Sequence, residues 1–314
     1  MTAPDRLETA ERVLRAACGP RVRAGFPLGP LTSFRLGGPA ALYLEVESEG
    51  DLAAAARAVD ASGVAWFVVG KGSNLLVSDS GFPGLVLRLG RGFRWTARDG
   101  RRLHAGAAMP LPALAGVALA HDLAGLEFGV AIPASLGGAV RMNAGAHHHA
   151  MAEVLDRIDL FFIPSGARAT VAAAEAAFGY RRSGLPEGSM VVGASVHLRP
   201  GEPSAIRAEM DAARAWRRAT QPLAEPNCGS VFKNPPGDHA ARLIEAVGAK
   251  GLSVGGAAVS TKHANFIVAG PGATASDVWR LVGAVEGLVK ERFGISLEPE
   301  VQLVGDIDLT PLTH

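Results

Sequence analysis

The chain predicts an α+β fold, and three observations carry that expectation. The alternating run ALYLEV (41–46), the Ala-rich helical segment Asp51 to Ala61 and the apolar run Val64 to Val69 read together as strand, helix, strand. Short strands and loops follow, rather than further regular βα units. A second break falls near residue 200, where Pro200, Gly201 and Pro203 precede a strong helical pattern from Ser204 to Thr220. A length of 314 residues suits roughly two domains.

Each element has a local reason. The start, MTAPDRLETAERVL, carries acids and lacks the apolar segment of a signal peptide, so it reads as a short amphipathic helix. GLVLRL (84–89) is a further strand, and Asp99-Gly100 marks a hairpin turn into RLHAGAA. Pro112 to Ala120 turns helical. In the last third, Val231 and Phe232 read as a short buried strand, followed by a helix over about His239 to Ala246. Val278, Leu281, Val282, Val285, Leu288 and Val289 fall at helical spacing, with Thr274 and Asp277 placed like a capping box. ISLEPEVQLVG is expected to close the core as a final strand.

Composition narrows the function classes. Apolar residues make up 48% and charged residues 19%, which describes a soluble globular protein. Lys plus Arg number 31 against 30 acids, so no global field favours nucleic acid or an anionic membrane. A highly anionic substrate must then be met by a few placed Arg or Lys. The longest apolar stretch, Leu111 to Ala120, is about half a membrane span. Cys18 and Cys228 form neither a disulfide framework nor a metal spacing, and a reducing cytoplasm is expected. Side chains of adjacent residues on a strand alternate faces, so His147, His148 and His149 do not suit one ion, and no metal is expected.

Several stretches could carry chemistry. VVGKGSNLLVSD (68–79) runs from a strand into a glycine loop, where backbone N–H groups, Ser73 and Asn74 could meet an anion. Leu75 stands where a dinucleotide fingerprint needs its third glycine, and a plain turn is the alternative. Residues 125–146 hold Gly125, Gly129, Gly137, Gly138 and Gly145, which implies backbone packed closely around something flat or extended, or a tight structural loop. The five arginines of RGFRWTARDGRR (91–102) read as a solvated hairpin edge. Arg214, Arg217 and Arg218 share a helix face. Tyr180, Arg181 and Arg182 precede a turn. Glu298 and Glu300 lie on one face of LEPEV, and a buried acid there needs a charged partner, for which Arg181 is the candidate. Ser230, in CGSVFKNP, has no G-x-S-x-G elbow and is either a turn serine or a reacting hydroxyl.

Taken in order, these pieces resemble the UDP-N-acetylenolpyruvoylglucosamine reductase (MurB) family. The likeness runs from about Thr32 to Gly305, through T-S-F-R-L-G-G (32–38), G-K-G-S-N-L-L-V (70–77), I-P-A-S-L-G-G-A (132–139), M-N-A-G-A (142–146), Y-R-R-S (180–183), Q-P (221–222), G-S-V-F-K-N-P (229–235), H-A-N-F-I-V (263–268) and L-E-P-E-V (297–301). No tyrosine-bearing insertion is apparent, which matches the shorter subtype. Where the family usually has G-I-P-G this chain has Ala131 and Ala134, and His147 to His149 replace an aromatic and a glycine.

The resemblance implies an FAD-binding fold of the PCMH/vanillyl-alcohol-oxidase type in two subdomains over residues 1–200. It implies an α+β substrate domain over 201–300, and a terminal strand and tail over 301–314 that return to the first subdomain. It implies non-covalent FAD, with NADPH as co-substrate, and reduction of the UDP-sugar enol ether to UDP-N-acetylmuramate in peptidoglycan precursor synthesis. Ser230 is then the proton donor, while Arg181 and Glu300 polarise the substrate carboxylate and steady the enol intermediate. The flavin would be held by Arg35, Gly70, Lys71, Gly72, Ser73, Asn74, Leu75, Gly125, Ile132, Pro133, Ala134, Gly137, Gly138 and Asn143. Tyr180, Lys233, Asn234 and Lys262 are candidates for substrate contact. A cytoplasmic monomer is expected, without nucleic-acid or membrane partners. Another flavin oxidoreductase of the same fold, acting on a sugar or hydroxyacid, is the alternative.

Overall fold

A computed structural model describes residues 1–307. The chain divides into two compact units: Met1–Ala24, Leu42–Lys71 and Gly84–Arg217 in one, and Gly25–Ala41, Gly72–Pro83 and Arg218–His314 in the other. Where the sequence suggested a break at residue 200, the chain passes between units at Arg217/Arg218, and two early segments belong with the C-terminal third. Residues 308–314 of the expected terminal tail lie outside the described residues.

In the first unit, α1 (Ala3–Cys18) and α2 (Glu49–Ser62) each open on a capping box, from Thr2 with Asp5 and from Ser48 with Asp51. Asp51 does more than cap. It is buried and accepts the backbone N–H groups of Glu47 at 2.8 Å and Ser48 at 3.2 Å. Both terminal nitrogens of Arg21 reach it at 2.6 Å. The Arg21 guanidinium holds its carboxyl down at about 2. The strands Val22–Pro27, Pro39–Val46, Phe82–Leu89 and Trp66–Val68, of which residues 25–27, 39–41 and 82–83 are counted in the second unit, follow one another across a sheet in that order. A five-stranded antiparallel sheet runs Arg168–Ala172, Leu155–Phe162, Ser189–His197, Arg102–Gly106 and Thr96–Asp99. Its last two strands are the hairpin that Asp99-Gly100 predicts. The helices α3 (Leu111–Ala120), α4 (Leu136–Arg141) and α5 (Pro203–Thr220) complete the unit, apart from the last three residues of α5.

In the second unit, α6 (Ala240–Ala246) and α7 (Ala275–Phe293) contribute to one core with the antiparallel strands Ser253–Val254, Ala257–Val259 and Ile267–Ala269. The capping box of Thr274 and Asp277 forms as the sequence predicts. Asp79 adds to it, accepting the N–H groups of Ala275 at 2.7 Å and Ser276 at 3.0 Å. Val278, Leu281, Val282, Val285 and Val289 are buried along α7, and burying each is worth roughly 1.5–3 kcal/mol. Leu288, at the edge of that stripe, stays exposed.

Three expected strands are shorter than the sequence suggests. Val64–Val69 is reduced to Trp66–Val68, and its side chains are half-buried because they face a cavity. Only Gln302–Val304 of the final segment is a regular strand, parallel to Leu75–Val77. Val231 and Phe232 are buried, yet they form only a single bridge, from Phe232 to Pro299. Pro299 has no N–H to donate to a ladder.

Candidate active site

The first unit contains a cavity of about 420 Å³. Trp66, Val68, Val69, Ala107, Met190 and Val191 give it apolar walls, and Gly137 and Gly138 line it without side chains. Lys71, Arg88, Arg94 and Arg141 also line it, against one carboxylate, Glu187. Desolvation, and then the positive charges of Arg94 and Arg88, lower the pKa of Lys71. An apolar slot beside clustered cations suits a flat ring joined to a diphosphate. A larger hollow of about 720 Å³ in the same unit has the opposite character. It is lined by Glu47, Glu49 and Asp159, whose carboxylates already accept from Gly92 N–H, Arg168 and the Thr170 hydroxyl.

Of the residues the sequence assigns to flavin, Gly70, Lys71, Gly137 and Gly138 line this cavity. Gly125 lies elsewhere, where its N–H donates to Glu127 Oε2 at 2.7 Å. Ile132 and Ala134 pack on the core, Pro133 is exposed, and the Ala134 carbonyl accepts the Leu111 N–H. Arg35 is exposed in the second unit, with φ +58. The rest of the glycine loop also belongs to the second unit. There Gly72 has φ +62, and a Cβ on it would collide with the Leu31 carbonyl, so only glycine fits. Ser73 and Leu75 are half-buried, and Asn74 Nδ2 donates to the Glu300 carbonyl at 3.0 Å.

Arg181 sits in the first unit on a tight turn. Gly179 and Arg182 exchange backbone hydrogen bonds at 3.0 and 3.2 Å, and Arg181 between them takes φ +55, a costly conformation for a side-chain-bearing residue. Its Nη2 donates to the Gly145 carbonyl at 2.9 Å, and a Cβ on Gly145 would lie 3.0 Å from its Nη1. Tyr180 is exposed, with its ring 5.0 Å from the Arg181 guanidinium carbon. Buried Asn143 ties this turn down: its Nδ2 donates to the Gly179 carbonyl and its Oδ1 accepts the Ala152 N–H, both at 2.9 Å.

Ser230 and Glu300 come together in the second unit. The Glu300 N–H donates to the Val231 carbonyl at 2.7 Å, and the Lys233 N–H to the Glu298 carbonyl at 2.9 Å. Among the described residues no buried side-chain N or O lacks a partner. The Ser230 hydroxyl makes no hydrogen bond within the described chain, so it is open to solvent. Glu298 and Glu300 part company. Glu298 points outward and pairs with Lys233 Nζ at 2.5 Å, whereas Glu300 is half-buried. Glu298 therefore has a partner other than the Arg181 considered from the sequence. The buried Cys228 thiol is pushed up by desolvation and then by the Glu300 charge. Asn234 Oδ1 accepts the Ala240 N–H at the start of α6, and Lys262 is exposed with its Nζ on the Arg218 carbonyl. No group of three or more His, Cys, Asp or Glu among the described residues is placed to hold a metal ion.

Known proteins match this arrangement over nearly all of the chain. Residues 40–172 match a family model described as FAD binding domain, and residues 221–304 match the C-terminal domain of UDP-N-acetylenolpyruvoylglucosamine reductase. The reductase of that name from Anaeromyxobacter sp. (strain Fw109-5) is 47% identical over 280 residues, which is 89% of this chain and 87% of the relative. The chain belongs to the UDP-N-acetylenolpyruvoylglucosamine reductase family. The reductase from Heliobacterium modesticaldum is 46% identical over 89% of this chain and 90% of its own. The crystal structure of the MurB enzyme from Thermus caldophilus superposes with a TM-score of 0.79 at 37% identity, covering 91% of this chain and 99% of that one. Phl p 4.0202, a glucose dehydrogenase, shares the fold alone, at a TM-score of 0.51 and 15% identity over 72% of this chain and 53% of its own. The fold is thus the α+β, FAD-binding type that the motifs imply.

The sequence did not single out Arg88, Arg94, Ser135 or Arg141 as cavity residues. Arg94 falls in the stretch read as a solvated hairpin edge, yet it lines the cavity. Ser135 and Gly70 approach so closely that a Cβ on Gly70 would lie 2.5 Å from Ser135 Oγ. Ser135 lies inside the I-P-A-S-L-G-G motif, so a signal existed for it. Arg88 and Arg141 carry none, because only the tertiary fold brings them beside Lys71.

Proposed function

We propose that this chain reduces UDP-N-acetylenolpyruvoylglucosamine to UDP-N-acetylmuramate, using NADPH and non-covalently held FAD, in peptidoglycan precursor synthesis. Family membership across nine-tenths of the chain is the observation that carries this. The cationic, apolar-walled cavity fits the flavin, with Gly70, Lys71, Gly137, Gly138 and the arginines around it as the residues that would hold it. Bound FAD would supply the two-electron hydride chemistry that links NADPH to C3 of the enol ether.

The side chains handle charge and the proton. Hydride addition beta to a carboxylate builds negative charge on that carboxylate and on C2. The planar fork of Arg181 is suited to donate to the carboxylate, and its turn is held by Asn143 before substrate arrives. The Ser230 hydroxyl gives its proton to C2, so hydride and proton together saturate the C2–C3 double bond and oxidised NADP is the co-product. It needs no histidine base, since it acts as an acid. Glu300, half-buried beside it, serves as the carboxyl partner of the developing enol. Tyr180, Lys233, Asn234 and Lys262 are proposed for the nucleotide-sugar, with Lys233 exchanging Glu298 for substrate. Most of residues 1–200 would serve the flavin and 201–300 the sugar nucleotide, with Tyr180 and Arg181 as the substrate contacts from the first segment.

Among the described residues no helix is long and apolar enough to cross a membrane. The proposed location is the cytoplasm. Every residue invoked lies in one chain, so a monomer suffices. The test is anaerobic spectroscopy of the purified protein. NADPH should bleach the flavin band, the enolpyruvyl nucleotide should restore it, and acid precipitation should release the flavin. A colourless protein, or a band that the nucleotide does not restore, ends the proposal.

A further inference from the structure

The segment that carries Ser230 is held by a side chain standing in for a β-strand. Asn265 is 4% exposed and lies 33 residues along the chain from Phe232. Its Oδ1 accepts the Phe232 N–H at 2.9 Å, and its Nδ2 donates to the Phe232 carbonyl at 2.8 Å. Its own backbone carbonyl accepts the Val231 N–H at 2.9 Å. The carboxamide thus satisfies both polar groups of one residue, as a neighbouring strand would, but over a single position. On the other side, Val231 and Lys233 bond to the backbone at Glu300 and Glu298. The segment is therefore pinned between Asn265 and the Glu300 segment, one residue beyond the hydroxyl. Gly229, with φ +83, donates its N–H to Asn227 Oδ1 and fixes the near side.

We propose that Asn265 is a positioning residue for proton donation: its carboxamide sets the spacing between the Ser230 hydroxyl and Glu300. The inference rests on the proposed function, in which those two groups act on substrate. Removing the carboxamide leaves the Phe232 N–H and carbonyl without partners and lets the segment drift, and a misplacement of about 1 Å can cost about 100-fold in rate. The chemistry of flavin reduction uses neither group and should not feel the change.

The test compares the two half-reactions in FAD-loaded wild type, Asn265→Ala and Asn265→Asp by anaerobic stopped flow. Wild type must first be bleached by NADPH and restored by the enolpyruvyl nucleotide; if it is not restored, the proposed function fails and not this inference alone. In Asn265→Ala, bleaching should stay near the wild-type rate while restoration slows about 100-fold, with a larger solvent deuterium effect. Asn265→Asp keeps the acceptor and, when protonated, regains the donor, so restoration should recover as pH falls while bleaching does not follow. Cys228, Lys233, Glu298, Glu300 and His263, whose Nδ1 accepts the Asn265 N–H, titrate in the same segments, and the wild-type profile accounts for them. Should only the Asp variant fold, recovery confined to restoration supports the assignment and its absence overturns it. Wild-type restoration in Asn265→Ala, or equal slowing of both half-reactions, also overturns it.

Discussion

Asp51 and Ser230 are both short polar side chains, one buried and one half-buried, and the fold treats them in opposite ways. Asp51 is given two backbone N–H groups and both terminal nitrogens of Arg21. Ser230 is given nothing within the described chain, although the backbone just beyond it is pinned on both sides. A buried structural carboxylate must have its lone pairs met, or its desolvation is uncompensated. In the proposed role, the Ser230 hydroxyl must keep its hydrogen-bonding capacity for substrate. On that reading, the contrast separates a polar group that holds the fold from one that the fold leaves available.

Five experiments would break or sharpen that contrast. The largest effect is expected for Ser230→Ala. Restoration of the flavin band by the enolpyruvyl nucleotide should slow about 10²–10⁴-fold, with bleaching by NADPH and thermal stability both little changed. A similar loss in both half-reactions would show that the hydroxyl supports structure, as Asp51 does. Next, Arg181→Lys should lower restoration about 10–100-fold, since a point ammonium cannot fork a carboxylate; wild-type rates would remove Arg181 from the site.

Asp51→Ala should act in the reverse sense. It strands the partners of a buried carboxylate and should cost about 2–4 kcal/mol in urea unfolding, while the holoenzyme that remains folded keeps both half-reactions. The pH dependence sharpens the same point. The Asp51 carboxyl is held at about 2 against an ordinary 3.8, so its contribution is complete above pH 3.8 and is lost as pH falls toward 2. Roughly 1–2 kcal/mol of stability should disappear across that window in wild type and not in Asp51→Ala. The smallest effect is expected at Glu298→Gln. This outward ion pair with Lys233 should contribute under about 1 kcal/mol in urea unfolding and its loss should leave restoration near the wild-type rate; strongly slowed restoration would mean that Glu298, not Glu300, is the important acid.

Much of the site was legible because local chemistry wrote it. Gly72 is fixed by its left-handed backbone, and the start of α7 is set by the Thr274 cap within three residues, whereas the Ser48 cap that starts α2 ahead of Asp51 was not read. Ser230, Arg181 and Glu300 were nominated by their family motifs. The alternation of LEPEV alone does not choose between its two glutamates, since both lie on one face of an extended segment. Burial and the Lys233 pair separate them. Arg94 was misread because a charged residue beside a hairpin looks solvated until the opposite wall is known, and Arg88, within a strand, and Arg141, at a helix end, were passed over because no local pattern marks them.

By itself, then, the amino-acid order determined the helices, the glycine loops and the apolar cores, and its family motifs nominated the groups proposed to react. Those depend on dihedral preferences, caps and side-chain chemistry that act over a few residues. Tertiary structure alone decided that residues 25–41 and 72–83 join the C-terminal third, that Asn74 reaches Glu300, and that Asn265 takes the place of a strand beside Phe232. Such pairings bring together residues far apart in sequence. Their loop-closure cost is offset only when the whole core is buried, so no short window of sequence contains them.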